Sequence, residues 1–292
     1  AEWGLEHRTA LYHYPYLPWT LVASVPLKVV LEGTLGWYDQ RLLYLSLFAL
    51  TLLLLAGLTA RRSDALLLTM VVGLNPIMGS DIIFGMNDSF VLAWLVLGVW
   101  LLRRQQYGLA ALSVGLACAS KTTAWFLAPF LVAYLAAGAG SATRALRQVG
   151  QRLWPALAAF LVLVLPFVAW DLSSLLDDVW AWSAGTSATP YQIRGWGWSN
   201  LVLALGLVPD SQAYFPFWVM QLLICLPLLL VLLRWQLKGN TLGRMLCGSA
   251  ALFGAYSYFS RFFNENYAGF LLALLALAAL VDGELARPSE GC

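Results

Sequence analysis

The stretch GLACASKTTAWFLAPFLVAYL, residues 115–135, is almost wholly apolar apart from small hydroxyl residues, and Lys121 stands in its middle. A charged side chain is costly to bury, so a lone lysine in such a run needs a reason. As one helix, residues 107–138 would be about 48 Å long at ~1.5 Å per residue. That exceeds the ~30 Å hydrocarbon core of a membrane. We therefore predict a hairpin of two short spans with Lys121 at its tip.

The whole chain has the composition of a membrane protein. Of its 292 residues, 61% are hydrophobic and 11% are charged, whereas about a quarter of the residues of a soluble protein are charged. The mean hydropathy is +0.74. The 14 Trp and 12 Tyr supply side chains that anchor helices at membrane surfaces. No basic patch indicates nucleic-acid binding.

The apolar runs predict an all-α fold, a polytopic transmembrane helical bundle that forms one domain over residues 1–292. Nine segments are interpreted as spans: 41–60, 65–79, 89–102, 107–119, 123–138, 153–170, 215–233, 245–258 and 267–281. The other parts are an outer loop with an interfacial helix (1–40, the helix within 17–33), an outer loop (171–214) and an inner tail after the last span.

The basic loops set the predicted orientation, because Lys and Arg collect on the cytoplasmic side. This assignment puts 11 of the 17 Lys and Arg inside and 11 of the 15 acids outside. Nine spans that end inside place Ala1 outside, so we expect a further span upstream of the sequence. We predict a multi-pass protein of the cell's inner membrane whose polar rim, and therefore its site, faces the extracytoplasmic side.

Two motifs on this rim carry candidate charges. Lys121 is suited to a lipid headgroup phosphate, the alternative being a lysine that merely extends to the interface. In GSDIIFGMNDSF, residues 79–90, Asp81 and Asp88 suit an acid that orients an acceptor hydroxyl or helps to hold a divalent cation. The alternatives are solvated acids at a membrane edge, or Asp88 as the N-cap of the next helix.

Three further motifs surround them. In SRFFNENYAG, residues 260–269, Arg261 suits bidentate phosphate contact, or else pairs with Glu265 at a helix start. LYHYPYLPW, residues 11–19, suits stacking against a sugar or lipid head, or is an ordinary aromatic belt. Arg194 in PYQIRGWGWSN, residues 190–200, closes over a headgroup or belongs to an anchoring loop. His13 has no metal spacing with a nearby Cys or acid, and no metal site is predicted.

The order of these motifs resembles the GT-C class of integral-membrane glycosyltransferases, in particular its bacterial polyprenyl-phosphate-sugar-dependent, mannosyltransferase-like branch. The resemblance rests on YPYLP, GMNDSFVLAWLVLGVWLLRR, YGLAALSVGLACASKTTAWFLAPFLVAYL and SRFFNENYAGFLLALLALAAL. It implies transfer of a monosaccharide from a polyprenyl-phosphate-linked donor to an acceptor hydroxyl on the extracytoplasmic face. The acceptor, a glycan, lipid or protein, is left open.

The resemblance also implies roles for particular residues. Lys121 matches the basic residue that holds the donor phosphate, and Arg261 is a second candidate. The family's base is an acid in the first outer loop, where this chain offers no aspartate, so the visible candidates are Asp88, Asp81 and Glu6. No cofactor is expected beyond a possible divalent cation. The expected substrate-binding residues are His13, Tyr14, Tyr16, Asn87, Arg194, Glu265, Asn266 and Tyr267.

Two other functions compete with this one. A transporter or flippase for a lipid-linked or small polar substrate usually has ionisable residues near the middle of its spans. Here the predicted spans are nearly free of charge and the charges lie on the rim, which favours interfacial chemistry. A non-catalytic scaffold would need no cluster of Lys121, Asp88 and Arg261 on one side.

Overall fold

The computed structural model describes residues 12–282 and is 73% helical. Its α-helices are α1 (Trp19–Val22), α2 (Val25–Leu35), α3 (Gln40–Ala56), α4 (Arg62–Gly73), α5 (Pro76–Ile83), α6 (Asp88–Arg103), α7 (Tyr107–Cys118), α8 (Ala128–Ala136), α9 (Ala142–Leu176), α10 (Trp182–Ala184), α11 (Trp198–Ala204), α12 (Phe217–Leu237), α13 (Leu242–Tyr258) and α14 (Glu265–Leu280). A 3₁₀-helix covers Thr122–Leu127 and a π-helical turn covers Asp177–Ala181.

Strand structure is limited, within the described residues, to one parallel pair of two-residue strands. In it β1 (Arg194–Gly195) pairs with β2 (Phe262–Phe263), Arg194 lying opposite Phe262. A side chain at Gly195 would collide with the backbone of Phe263, since its Cβ would lie 2.2 Å from that carbonyl oxygen. The predicted helical fold is therefore confirmed, with this small exception beside the rim.

The number of spans is not confirmed. Each of the nine predicted segments is helical over most of its length. Within residues 12–282, only α9, with its continuation to Ala184, and α12 are long and apolar enough to cross a membrane. Counting each strongly bent helix pair as one span raises the number to four among residues 12–282. The helices α6, α7, α13 and α14 have 16, 12, 17 and 16 residues, fewer than the ~20 of an untilted span.

The segment predicted as an interfacial helix is helical and forms two short helices, α1 and α2. The α1–α2 pair, Trp19–Leu35, is bent by 118° from α3. No residue of α2 is buried against the rest of the protein. Asp39 then caps α3 by accepting from the backbone N–H of Arg41 at 2.9 Å. The position of this segment at a membrane interface stays a prediction.

The predicted outer loop 171–214 is wrong at its start, where the chain is helical. Helix α9 continues past residue 170 to Leu176, with a kink at Asp171, whose φ of −154° and ψ of 90° are not helical. The Asp171 side chain accepts from the backbone N–H of Ser174 and so caps the helix that follows the kink. Further along, Ile193, Val202, Val208 and Phe217 form a small core of their own, so this segment is folded.

The main core is built around α6, in which 12 of 16 residues are buried. Apolar side chains of α3, α4, α7, α8, α13 and α14 belong to the same core. At the crossing of α7 and α9, a Cβ on Gly115 would lie 2.6 Å from the Cα of Ala156. Small residues allow the two backbones to approach this closely. In lipid the hydrophobic effect does not drive helices together, and van der Waals packing at such close contacts drives their association instead.

Candidate active site

A cavity of about 860 Å³ lies beside the start of α6, and its walls are rich in aromatic side chains. Its polar part comes from residues 13–16, 121–123, 179–191 and 257–267. Five buried polar atoms on residues that line it have no hydrogen-bond partner: Thr123 Oγ1, Trp182 Nε1, Ser257 Oγ, Asn264 Oδ1 and Asn266 Oδ1. Buried polar groups are normally paired, so these atoms mark places around the cavity where a polar partner is missing.

Lys121 lies in this cavity as half of a buried ion pair. Its Nζ is 2.7 Å from Oδ1 of Asp88, and the two side chains are 8% and 0% exposed. Asn266 donates a hydrogen bond to the other carboxylate oxygen of Asp88. The ammonium also lies over the rings of Tyr16 and Tyr267, 5.5 and 5.2 Å from their centroids. The Lys121 ammonium is therefore held by the Asp88 carboxylate and by the π-faces of Tyr16 and Tyr267, and Asn266 holds the carboxylate in turn.

The sequence places Lys121 here by interrupting a helix. α7 ends at Cys118, the backbone at Lys121 is extended, and the 3₁₀-helix begins at Thr122. The backbone carbonyls of Ala119 and Ser120, in this turn, accept hydrogen bonds from Trp19 and Leu17 at 2.9 Å. The turn is therefore tied to the N-terminal segment that carries the aromatic part of the site.

Lys121 lies in a turn outside the helices, where its surroundings stabilise the positively charged form of its side chain. Burial by itself lowers the pKa of Lys121, but the Asp88 carboxylate raises it, and the net pKa lies above the ordinary lysine value. The ammonium therefore stays protonated at neutral pH. Burial raises the pKa of Tyr16, against the opposing effect of Lys121, so this phenol remains a neutral hydroxyl.

Asp81 and Asp88 do not line the cavity. Asp88 is completely buried behind Lys121. Asp81, 1% exposed, accepts the backbone N–H of Ser89 at 2.9 Å through Oδ2. The cap of α6 thus comes from Asp81, and the interpretation of Asp88 as the N-cap is wrong. Asn87, also fully buried, donates to Thr20 Oγ1 at 3.3 Å and lies away from the cavity.

Arg261 lines the cavity, but its guanidinium is engaged with the backbone. Nε donates to the carbonyl of Tyr191, Nη1 to that of Ala213 at 2.9 Å, and Nη2 to those of Ser211 and Gln212 at 3.2 and 3.1 Å. Four of its five N–H donors are therefore occupied. Arg261 fastens the segment 191–213 to the strand β2 beside it, and phosphate binding by this residue stays a prediction.

The remaining predicted residues divide into those at the cavity and those away from it. Tyr14, 40% exposed, lines the cavity with its neighbours in the N-terminal segment. Arg194 and Glu265 are exposed, do not line the cavity and do not pair with Arg261 through their side chains. Glu6 lies outside the described residues. Its predicted role as a base stays a prediction.

His13 has partners that the sequence did not indicate. Its Nδ1 is 2.8 Å from Oδ1 of Asp178 and 3.6 Å from Oδ2 of Asp177, and its Nε2 is 2.8 Å from Oγ1 of Thr189. The ring stacks on Trp182 at 5.3 Å between centroids. One ligand atom from each of His13, Asp177 and Asp178 lies within 4.8 Å of the others, so this group could hold a metal ion.

In the comparison with protein families, a family model matches residues 12–137. The matched model is described as Alpha-(1->6)-mannopyranosyltransferase, N-terminal domain. Neither the curated proteins nor the solved structures gave a match. The family match supports a mannosyltransferase-like glycosyltransferase, and with the apolar helices it suggests a membrane protein.

The matched region contains Lys121, Asp88 and the N-terminal aromatic segment. It leaves out Asn266 and Tyr267, which complete the surroundings of the lysine from α14. The ion pair at the cavity wall is thus contributed wholly by the part of the chain that is similar to a mannosyltransferase domain.

Proposed function

We propose that this protein is a GT-C glycosyltransferase of the polyprenyl-phosphate-sugar-dependent branch. It transfers a mannosyl residue from a polyprenyl-phosphate-linked donor to an acceptor hydroxyl on the extracytoplasmic face of the inner membrane. The observation that carries the proposal is the protonated Lys121, held by Asp88 at the wall of a cavity of about 860 Å³. That volume lies in the ~300–1,000 Å³ range of small-molecule sites.

The chemistry that this site supports is displacement at an anomeric carbon. The acceptor oxygen forms the new bond to carbon while the bond to the polyprenyl phosphate oxygen breaks. Negative charge grows on the leaving phosphate, and a fixed cation stabilises it more in the transition state than in the ground state. Asp88 accepts from Nζ of Lys121, and an ammonium has further N–H donors to offer to a phosphate.

The sugar would bind against the aromatic wall. Tyr16 and Tyr267 flank Lys121, and both line the cavity. Asn266 and Ser257 line the same wall, and rotation of their side chains would offer the unpartnered Oδ1 and Oγ to sugar hydroxyls. An aromatic face combined with a few polar atoms suits a sugar ring, whose surface is partly apolar and partly hydroxylated.

The lipid part of the donor has a neighbouring groove. A second cavity of about 210 Å³ lies next to Tyr14 and Tyr16, which line both cavities, and its other lining residues include Leu21, Phe167 and Leu175. We propose that the first isoprene units lie in this groove while the phosphate reaches Lys121. An interfacial site of this kind is required because the donor headgroup lies at the membrane surface.

The test is a transfer assay on the full-length protein in detergent, with polyprenyl-phosphate mannose and soluble mannosides as acceptors. The test protein is a double variant in which Lys121→Met and Asp88→Asn are made together, so that no buried charge is left unpaired. The matched control is Lys121→Arg, which keeps the positive charge. We expect turnover by the native protein, a loss of about 10²-fold or more in the double variant, and partial activity in Lys121→Arg.

Two results would contradict the proposal. Native protein that transfers no sugar from any polyprenyl-phosphate donor would remove the glycosyltransferase assignment, and transport in proteoliposomes would be measured next. Full activity in a folded double variant would keep the enzyme class and exclude Lys121 as the phosphate ligand.

A further inference from the structure

The cavity described above contains no carboxylate among its described lining residues. The transfer needs a group that takes the proton of the acceptor hydroxyl. Asp88 and Asp81 are 0% and 1% exposed, and neither lines the cavity. The lining residues with ionisable side chains are His13, Lys121, Arg261 and several tyrosines. Lys121 and Arg261 are cations, so among the described lining residues His13 is the one whose side chain carries a nitrogen able to accept a proton.

The hydrogen bonds of His13 hold it in the form that a base requires. Asp178 lies 2.8 Å from Nδ1, and an ionised carboxylate only accepts, so Nδ1 carries the hydrogen. In the neutral imidazole the other nitrogen, Nε2, then carries the lone pair and accepts from the hydroxyl of Thr189 at 2.8 Å. A hydroxyl therefore already occupies the position from which Nε2 would take a proton.

His13 and Lys121 are joined by a continuous row of aromatic rings. From His13 the row runs to Trp182 at 5.3 Å, to Tyr191 at 4.7 Å, to Phe262 at 4.6 Å and to Tyr267 at 6.1 Å between centroids. Lys121 lies over that last ring. All these residues line the one cavity. The row thus connects the imidazole to the ring beside the ammonium along one wall of the cavity.

We infer that His13 is the general base of the transfer and that Asp178 is its positioning residue, an inference that rests on the proposed function. The acceptor hydroxyl takes the place of Thr189 Oγ1 beside Nε2. Its oxygen bonds to the anomeric carbon, the carbon–oxygen bond to the phosphate breaks, and that electron pair leaves with the polyprenyl phosphate. The hydroxyl proton passes to Nε2 of His13, which later releases it to water.

A metal ion held by His13, Asp177 and Asp178 is the competing use of the same residues. Ligand atoms at ~2.1 Å from a metal ion lie roughly 3 to 4 Å apart, and His13 Nδ1 lies 2.8 and 3.6 Å from the carboxylate oxygens of Asp178 and Asp177, so the hydrogen bonds have to distinguish the two uses. Both ring nitrogens already make hydrogen bonds of 2.8 Å. Asp177 instead accepts from Ser187 Oγ at 3.1 Å. The observed geometry thus fits a His13–Asp178 dyad better than a metal site.

The experiment compares four variants of the full-length protein in the mannosyl-transfer assay, with polyprenyl phosphate binding measured in parallel. We expect His13→Ala to lower kcat by about 10²-fold or more, to bind polyprenyl phosphate normally and to regain activity with added imidazole. Asp178→Asn is expected to lower kcat by about 10-fold or more, because the amide favours the wrong tautomer. The matched Asp177→Asn variant is expected to stay near the native rate. Thr189→Val, which removes the hydroxyl bonded to Nε2, is expected to retain transfer activity, because the acceptor hydroxyl takes that position.

Each other outcome would overturn the inference in a recognisable way. A native rate in His13→Ala would exclude the base and leave the glycosyltransferase intact. Loss without imidazole rescue would give His13 a structural role. Equal losses in Asp177→Asn and Asp178→Asn, together with inactivation by a chelator, would establish a metal site. Loss in Thr189→Val would make Thr189 itself a reacting group. A native protein without transfer activity would refute the proposed function itself.

Discussion

The Nζ of Lys121 lies 2.7 Å from Oδ1 of Asp88, and neither side chain has more than 8% of its surface exposed. The contact joins the turn after α7 to the first residue of α6. A buried pair of this kind is weak evidence for net stability, but the loss of one partner leaves an unpaired buried charge. Stability and activity therefore depend on this pair in different ways.

Removal of one member of the pair should destabilise the protein. We expect Lys121→Met alone to cost about 3–5 kcal/mol, because the Asp88 carboxylate stays buried without its cation. The double variant with Asp88→Asn should recover most of that loss and remain inactive. Thermal unfolding in detergent, followed by fluorescence, measures both. Equal stability of the single and double variants would show that Asp88 is not charged when Lys121 is absent.

Asp81 should matter for stability and not for the chemical step. Its carboxylate caps α6 through the backbone N–H of Ser89 at 2.9 Å. We expect Asp81→Ala to lower the free energy of unfolding by about 0.5–2 kcal/mol, the usual cost of a lost helix cap. Asp81→Asn keeps an accepting oxygen and is the matched control. Loss of kcat in folded Asp81→Asn would restore Asp81 as a candidate base.

Arg261 should hold the outer segment in place. Its side chain donates to four backbone carbonyls of residues 191–213, and a lysine with a single ammonium cannot satisfy them all. We expect Arg261→Lys to increase proteolysis within 186–214, with Arg194→Lys, at an exposed position, as the control. An intact segment combined with weaker polyprenyl phosphate binding would instead support phosphate contact by Arg261.

Gly115 should not tolerate a side chain. A Cβ at this position would lie 2.6 Å from both the Cα and the carbonyl oxygen of Ala156. Backbone atoms cannot move aside as a flexible side chain does, so we expect Gly115→Ala to cost about 1–3 kcal/mol. Gly150→Ala is the matched helical control, because nothing lies within 4 Å of its added Cβ. Similar unfolding temperatures for the two variants would contradict the close crossing of α7 and α9.

The helices were predictable because helix formation and membrane compatibility depend on neighbouring residues in the chain. The break at Lys121 also followed from local length, since residues 107–138 were too long for one span, and the structure ends one helix at Cys118 and starts the next at Thr122. The helical extension of α9 past residue 170 was missed. Its polar sequence after Trp170 resembles a loop, but the carboxylate of Asp171 caps a further helical turn.

The pairings in the site were not predictable, because they join residues that are far apart in the chain. Asp88 and Asn266 are 178 residues apart, and His13 and Asp178 are 165 apart. The adjacent acids in DLSSLLDDVW, residues 171–180, were the one local signal for His13's partners. The two adjacent acids do not by themselves predict a contact with His13, because the contact forms only when the N-terminal segment packs against this part of the chain.

Composition and apolar periodicity alone determined that this protein is helical and apolar, that its charges collect between the apolar segments, and that Lys121 stands at a helix break. The tertiary structure decided which of those charges meet. It buried Asp88 behind Lys121, assigned Asp81 to a helix cap, engaged Arg261 with carbonyls and brought His13 to the cavity. The reason is physical: burial and pairing set the role of a polar group, and both depend on packing between distant segments.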